Sequence, residues 1–336
     1  MKLDESNIID YLRGLEIFDD VDWEKVQASE VKKNTNVNFV FSVLLNSPTH
    51  KRIFLKQAFD FVKISPDFPA PLDRQLYEKL SIGYLQQFWD NRIPQVIHYD
   101  PENNVLIITD VGEGALLLAE EIKEGRLHFQ IGRDLGLMMA QLHFPTYNQN
   151  IYPVREKPAN DKHVEFIFDI RLRGAREIIP VETQQIFEES KEVTSSIIYG
   201  DWASKNVFVA GDKVRLVDFE NLVRFDPAFD IGYALAHWVL DISRDNQDEM
   251  VNFFQEFEKG YTAGWGTVKA EPETRAILKR AVRYAGAMML HRLTGVKNTN
   301  RMQEYLNKEV PLIEIAKQIV TMSGETPSAA LSAFKL

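Results

Sequence analysis

The sequence predicts an α+β fold made of a strand-rich first part and a helical second part. Two observations carry this expectation. From about residue 30 to residue 110 apolar side chains recur at every second position in short runs, whereas from Val111 onward they recur at every third or fourth. The length, 336 residues, is enough for two separate cores. The change of rhythm sets a boundary near Asp110 to Gly114, so that residues 1–110 form one part and residues 111–336 the other.

Met1 to Asp20 is expected to be helical, because Ile8, Tyr11, Leu12 and Leu15 fall at near-helical spacing with acidic residues between them. Val37, Phe39, Phe41, Val43 and Leu45 then alternate as a strand. Asn46-Ser47-Pro48-Thr49-His50 supplies turn residues, and Arg52 to Ala58 returns as a second strand, which together predict a β-hairpin. Pro66, Pro69 and Pro71 mark a loop. Helical spacing resumes over Leu72 to Phe88, and Gln95 to His98 and Val105 to Ile108 are two further strands around the turn Asp100-Pro101-Glu102-Asn103-Asn104.

In the second part, Ile131, Leu135, Met138, Met139 and Leu142 line one face of a helix ending near His143. Ile186 to Val193 is another helix, and residues 247–262, 272–294 and 301–321 are three amphipathic ones. Between them Val207 to Ala210 and Val214 to Val217 are short strands about Gly211-Asp212-Lys213. The tail after Met322 is small and polar, and is expected to fray.

Composition narrows the function classes. Apolar residues make up 45% and charged residues 26%, the balance of a soluble globular protein. There is no cysteine, which excludes a disulfide framework, a thiolate metal site and a thiol nucleophile, and fits a cytoplasmic location. Met1 to Asp10 holds Asp4, Glu5 and Asp10 and no apolar core of a signal peptide. No apolar run reaches the roughly 18 residues of a membrane span. A net charge of −10 argues against nucleic acid as a partner, and mildly favours neutral or cationic small molecules over anionic ones.

The chemistry is concentrated between Ile198 and Gly232, in IIYGDWASKNVFVAGDKVRLVDFENLVRFDPAFDIG. Asp201 is followed five residues later by Asn206, and Asp218 comes after an apolar strand. A carboxylate at this place suits a proton acceptor, and an amide with a second carboxylate suits a hard divalent cation such as Mg²⁺. Upstream, Lys56 lies in the apolar strand IFLKQA, where an unpaired ammonium would be costly to bury, so a carboxylate or phosphate partner is expected.

These residues resemble the catalytic motifs of the aminoglycoside phosphotransferase and choline kinase superfamily, which is similar to protein kinases in fold. Asp201 and Asn206 match its HGDxxxxN motif, and Asp218-Phe219-Glu220 matches its counterpart of the protein-kinase DFG. The resemblance implies a bilobal protein-kinase-like fold and transfer of the γ-phosphoryl group of ATP to a hydroxyl of a small-molecule acceptor. It further implies Asp201 as catalytic base, Asn206 and Asp218 as Mg²⁺ ligands, and Lys56 as the lysine on the ATP phosphates with Glu78 as its partner. Asp230 matches an aspartate that braces the catalytic loop; taken alone, it is also suited to cap a helix beginning near Ile231. Thr109-Asp110-Val111-Gly112 resembles the lead into the hinge, and so places nucleotide contacts at Asp110. His143 is expected to be packed in the core. The segment LKQAFDFVKISPDFPAPLDRQLYEKL is similar to 5-methylthioribose kinases in particular.

Two departures stand out. Tyr199 occupies the position usually held by His, where the family orients the loop by a hydrogen bond. The segment Lys32 to Asn38, where a nucleotide loop is expected, has no glycine. These motivate a rival reading, a nucleotide-binding pseudokinase, against which stands the joint presence of Lys56, Asp201, Asn206 and Asp218.

Overall fold

The computed structural model describes all residues except 34, 46, 50, 242–246, 267–270, 296–311, 323 and 334–336. The chain divides into two compact units, one of residues 1–113 with 216–220, the other of residues 114–215 with 221–336. No helix among the described residues is long and apolar enough to cross a membrane.

The first unit holds α1 (Ile8–Gly14), β1 (Gln27–Glu30), β2 (Phe39–Leu44), β3 (Arg52–Gln57), β4 (Phe61–Val62), β5 (Ser65–Pro69), α2 (Arg74–Trp89), β6 (Val96–Asp100) and β7 (Val105–Thr109). Its sheet has the order β1-β2-β3-β7-β6, every neighbour antiparallel. The hairpin of β2 and β3 pairs Phe39 with Gln57 through to Leu44 with Arg52. Phe41, Val43, Ile53, Leu55, Val105 and Ile107 lie on one face and are covered by Ile8 and Leu12 of α1. Such fully buried side chains contribute about 1.5–3 kcal/mol each. Because strand residues alternate faces, Lys56 points to the opposite side from Leu55. On that side α2 packs against β6 and β7 with the stripe Glu78, Ile82, Leu85 and Trp89, a carboxylate on an otherwise apolar face.

Several expectations change here. The first helix is confined to Ile8–Gly14 rather than filling Met1 to Asp20. β1 is a polar edge strand with no apolar alternation to announce it. The proline-marked loop contains the small hairpin of β4 and β5; Pro66 and Pro69 are tolerated because β5 is exposed along its whole length. Asn46 and His50 of the expected turn, and Asn34 of the glycine-free segment, lie outside the described residues.

The second unit holds β8 (Leu116–Leu117), α3 (Leu118–Lys123), α4 (Phe129–Thr146), α5 (Lys157–Ile178), α6 (Pro180–Glu192), β9 (Ser196–Ile198), β10 (Val207–Ala210), β11 (Lys213–Leu216), β12 (Val223–Phe225), α7 (Ala228–Asp241), α8 (Gln247–Gly264), α9 (Glu271–Leu290), α10 (Leu312–Thr321) and α11 (Pro327–Ala333). Leu216, the last residue of β11, is counted with the first unit. α4 runs three residues past His143, and crosses α8 so closely that a Cβ on Gly136 would lie 2.0 Å from the Phe257 carbonyl oxygen. α7 begins at Ala228, so Asp230 sits inside its first turn and is not its cap; the Asp226 carboxylate accepts the Ala228 amide instead. The expected helix at 301–321 is described only from Leu312. Within the tail expected to fray, residues 327–333 instead form α11, and Glu258 accepts hydrogen bonds from Thr326 and from the amide and hydroxyl of Ser328.

Candidate active site

In the first unit, β3 and α2 bring together the charges that the sequence singles out. Lys56 Nζ lies 2.5 Å from Glu78 Oε2 and 2.8 Å from Asp218 Oδ1. Lys56 is 7% exposed and Glu78 fully buried. Glu78 Oε1 also accepts the Phe219 amide at 3.3 Å, which ties the segment after β11 to α2. Asp218 adopts φ +74°, the left-handed region that Asp tolerates better than most residues.

Burial alone would depress the Lys56 ammonium, but Asp218, Glu78 and Glu220 overcome it and raise its pKa, so the lysine stays charged. Burial raises Glu78 well above the ordinary carboxylate range; the charges of Asp218 and Glu220 add to this while Lys56 opposes it. Glu220 is raised by burial and by Asp218. Oxygens of Glu78, Asp218 and Glu220 all lie within 4.8 Å of one another. Three acids thus crowd around one lysine.

Sequence reasoning missed how the glycine-free segment is anchored. Asn38, at its end, donates from Nδ2 to Glu220 Oε2 at 3.0 Å and accepts from Arg74 Nε at 3.1 Å and Nη2 at 3.0 Å. Arg74 also donates to the carbonyls of Phe59 and Pro71, and stands 3.9 Å from Glu220. A side-chain network therefore fixes the foot of this segment. Asp110, the expected hinge residue, accepts the Gly112 amide at 2.6 Å and faces Arg52 at 3.8 Å, closing its own turn.

The second unit holds Asp201 and Asn206. The loop that carries them is clamped by Asp230, whose carboxylate accepts the Tyr199 amide at 2.9 Å and the Gly200 amide at 2.8 Å. His143 supports Asp230 from behind: Nε2 is 3.2 Å from Asp230 Oδ2, and Nδ1 is 3.0 Å from the Tyr261 hydroxyl. Gly200 has φ +82°, and a Cβ there would come 3.0 Å from the Asn221 carbonyl oxygen, so the loop needs glycine at this point. Asn206 Nδ2 donates to the Asp201 carbonyl at 3.1 Å, which closes the loop on itself. Tyr199, where the family usually has His, is fully buried with its ring edge-on to Trp202. Asp230 positions the loop through backbone amides, a task independent of the side chain at 199.

Asp201 is 5% exposed. Its Oδ2 lies 3.3 Å from Arg171 Nη2 on α5, and its Oδ1, fully buried, has no hydrogen-bond partner among the described residues. The Tyr233 hydroxyl also hydrogen-bonds Asp201; burial and this carboxylate keep the phenol protonated. Arg171 and Tyr233 are two neighbours that the sequence did not single out. Tyr233 sits one turn after Asp230 on α7, where spacing alone points at the same loop.

Comparison with known proteins bears on the family and the fold. Residues 149–277 match the phosphotransferase enzyme family. Over 258 residues the chain is 26% identical to a 4-hydroxytryptamine kinase of Psilocybe cyanescens, covering 67% of this chain and 71% of that enzyme. Over 335 residues it is 21% identical to a methylthioribose kinase of Bacillus thuringiensis subsp. konkukian, covering 86% of this chain and 84% of the other. Among solved structures, an amicoumacin kinase in complex with AMP-PNP and Ca²⁺ superposes with a TM-score of 0.62 at 14% identity, over 99% of this chain and 98% of that one. At that identity the likeness establishes the fold, and it is the protein-kinase-like α+β fold that the motifs imply.

Proposed function

From a chain that belongs to the aminoglycoside phosphotransferase and choline kinase superfamily of small-molecule kinases, we propose an enzyme that moves the γ-phosphoryl group of ATP onto a hydroxyl of a small molecule. The observation that carries the proposal is the Lys56 cluster. An ammonium held by Glu78 and Asp218 is ordered before any phosphate arrives, so little entropy is lost when it binds one. With Arg74 counted, two cations face three carboxylates; burial first, and then the neighbouring carboxylates, raise Glu78 and Glu220. Such a donor set fits a divalent cation through hard oxygens, with Asp218 as the ligand in this unit. When bound, that cation neutralises phosphate oxygens.

Asp201 takes the other role. Its Oδ1 is a buried acceptor with no partner among the described residues, which is the position for the proton of an acceptor hydroxyl. Phosphoryl transfer needs positioning and charge more than covalent chemistry, and the two sets of residues supply those parts.

Incubation of the full chain with Mg-ATP and pooled small alcohols tests the proposal. ADP formed in proportion to a phosphomonoester is the expected result. Mg-ATP at millimolar concentration giving neither heat in a titration nor a thermal shift would dismiss it. 5-Methylthioribose belongs in the pool because of the likeness to methylthioribose kinase along most of the chain.

A further inference from the structure

The bonds of Arg74 converge from separate pieces of the first unit. We propose that Arg74 is a positioning residue, which sets the glycine-free segment and the segment Asp218-Phe219-Glu220 as one piece through the β4–β5 hairpin, Asn38 and Glu220. The proposal rests on the reading of the first segment as facing phosphate and of Asp218 as a cation ligand.

Segments that approach phosphate closely are usually built with glycine, whose backbone bends where other residues cannot. Here the described stretch Thr35 to Asn38 is instead tied residue by residue. Thr35 Oγ1 donates to the Val31 carbonyl and stands 3.2 Å from Lys63 Nζ, which also meets Glu30 at 2.6 Å. The Asn36 and Val37 carbonyls accept the amides of Ile64 and Lys63, both at 3.1 Å. Asn38 Oδ1 accepts from Arg74 twice, and its Nδ2 donates to Glu220. Lys63 and Ile64 form the turn between β4 and β5, so the hairpin braces the segment.

Arg74 secures both the brace and the segment. Nη1 donates to the carbonyls of Phe59 and Pro71, which flank the hairpin on either side, while Nε and Nη2 hold Asn38. The residue is only 7% exposed, where losing such bonds is costly. A planar fork reaches these oxygens from three nitrogens, whereas lysine offers one. Glu220 carries the connection onward: it bonds Asn38, lies 3.9 Å from Arg74 and follows Asp218 by two residues. Between them, the Phe219 amide is pinned on Glu78. Phosphate and cation must meet at a fixed separation, and a misplacement of about 1 Å can cost on the order of 10²-fold. The braced segment meets that demand without glycine.

The test is hydrogen exchange at single amides of the nucleotide-free full chain, with calorimetric titration of Mg-ATP beside it. The Lys63 and Ile64 amides report on the brace, and the Phe219 amide on the other segment. Arg74→Met should speed exchange at all three by about tenfold or more and weaken Mg-ATP binding by about tenfold, with the β3 amides of Ile53 and Leu55 unchanged. Asn38→Asp keeps an acceptor for Arg74 but loses the donor to Glu220. It should therefore speed Phe219 and leave Lys63 and Ile64 within about twofold. This variant decides the matter if Arg74→Met fails to fold. Loosening of one set alone in Arg74→Met, loosening that spreads equally to β3, or a wild-type Phe219 rate in Asn38→Asp overturns the proposal while the kinase reading stands. Joint loosening with Mg-ATP affinity unchanged from wild type also overturns it. Joint loosening in a chain whose wild type binds no Mg-ATP upholds the coupling of the two segments and sinks the kinase reading instead.

Discussion

The two units hold their candidate residues in opposite ways. In the first, Lys56, Glu78, Asp218, Glu220 and Arg74 hold one another by charge, with side chain against side chain and acids in excess. In the second, Asp201 is held by a loop whose backbone is clamped by Asp230, and one carboxylate oxygen is kept free of hydrogen bonds among the described residues. A charge network suits a site that must take up phosphate and a cation. A rigid loop with a spare acceptor suits a site that must take up one proton. The contrast teaches that the first set should respond to substitution as a unit and the second as a single point.

The largest effect is expected at that point. Asp201→Asn keeps the shape of the side chain and removes the base, so kcat should fall by about 10²-fold or more with little change in thermal stability. A kcat within a fewfold of wild type would remove Asp201 from the chemistry and erase the contrast.

Next is the charge network. Because Glu78 is fully buried, Lys56→Met and Glu78→Gln are the suitable changes, since they remove the charge while nearly keeping the side-chain volume and so open no cavity. Each alone should cost most of what both cost together, with a coupling of about 1–3 kcal/mol in a double-mutant cycle on kcat/KM for ATP. Additive losses would show that the pair does not act as one.

The smallest effect separates the units by pH. The fold depresses His163 and His291 from 6.5 to about 3 and about 4. Their contribution is present above the unfolded value and is lost as pH falls from 6.5 toward 4. Glu78 and Glu220, raised from 4.5, have the opposite sign: their contribution is full below 4.5 and declines as pH rises through the folded value. Hydrogen exchange at pH 5 against pH 7 should therefore show the second unit loosening first, with the difference reduced in His163→Asn combined with His291→Asn. Equal loosening of the two units would break this part of the contrast.

Much of this was legible in the sequence, for identifiable reasons. The β2–β3 hairpin and α2 announce themselves by unmixed apolar periods, and Asp201, Asn206 and Asp218 by a spacing that few other tasks require. α5 was hidden because Phe166, Phe168, Ile170 and Leu172 alternate as a strand would, while Val164, Ile167 or Phe168, and Ala175 mark the helix stripe that is in fact buried. Arg171 was lost with it. The anchoring of Asn38 by Arg74 joins residues 36 apart, and no local pattern encodes such a bond. α11 depends on Glu258, 70 residues from Ser328, so its polar composition alone suggested a loose end.

The most direct test of the division of labour is calorimetric titration of Mg-ATP into wild type, Asp201→Asn and Asp218→Ala in parallel. Asp201→Asn should bind the nucleotide as wild type does, whereas Asp218→Ala should lose the Mg²⁺-dependent part of the binding. Two variants with the same binding isotherm would contradict the assignment of nucleotide and metal to one set of residues and proton transfer to the other.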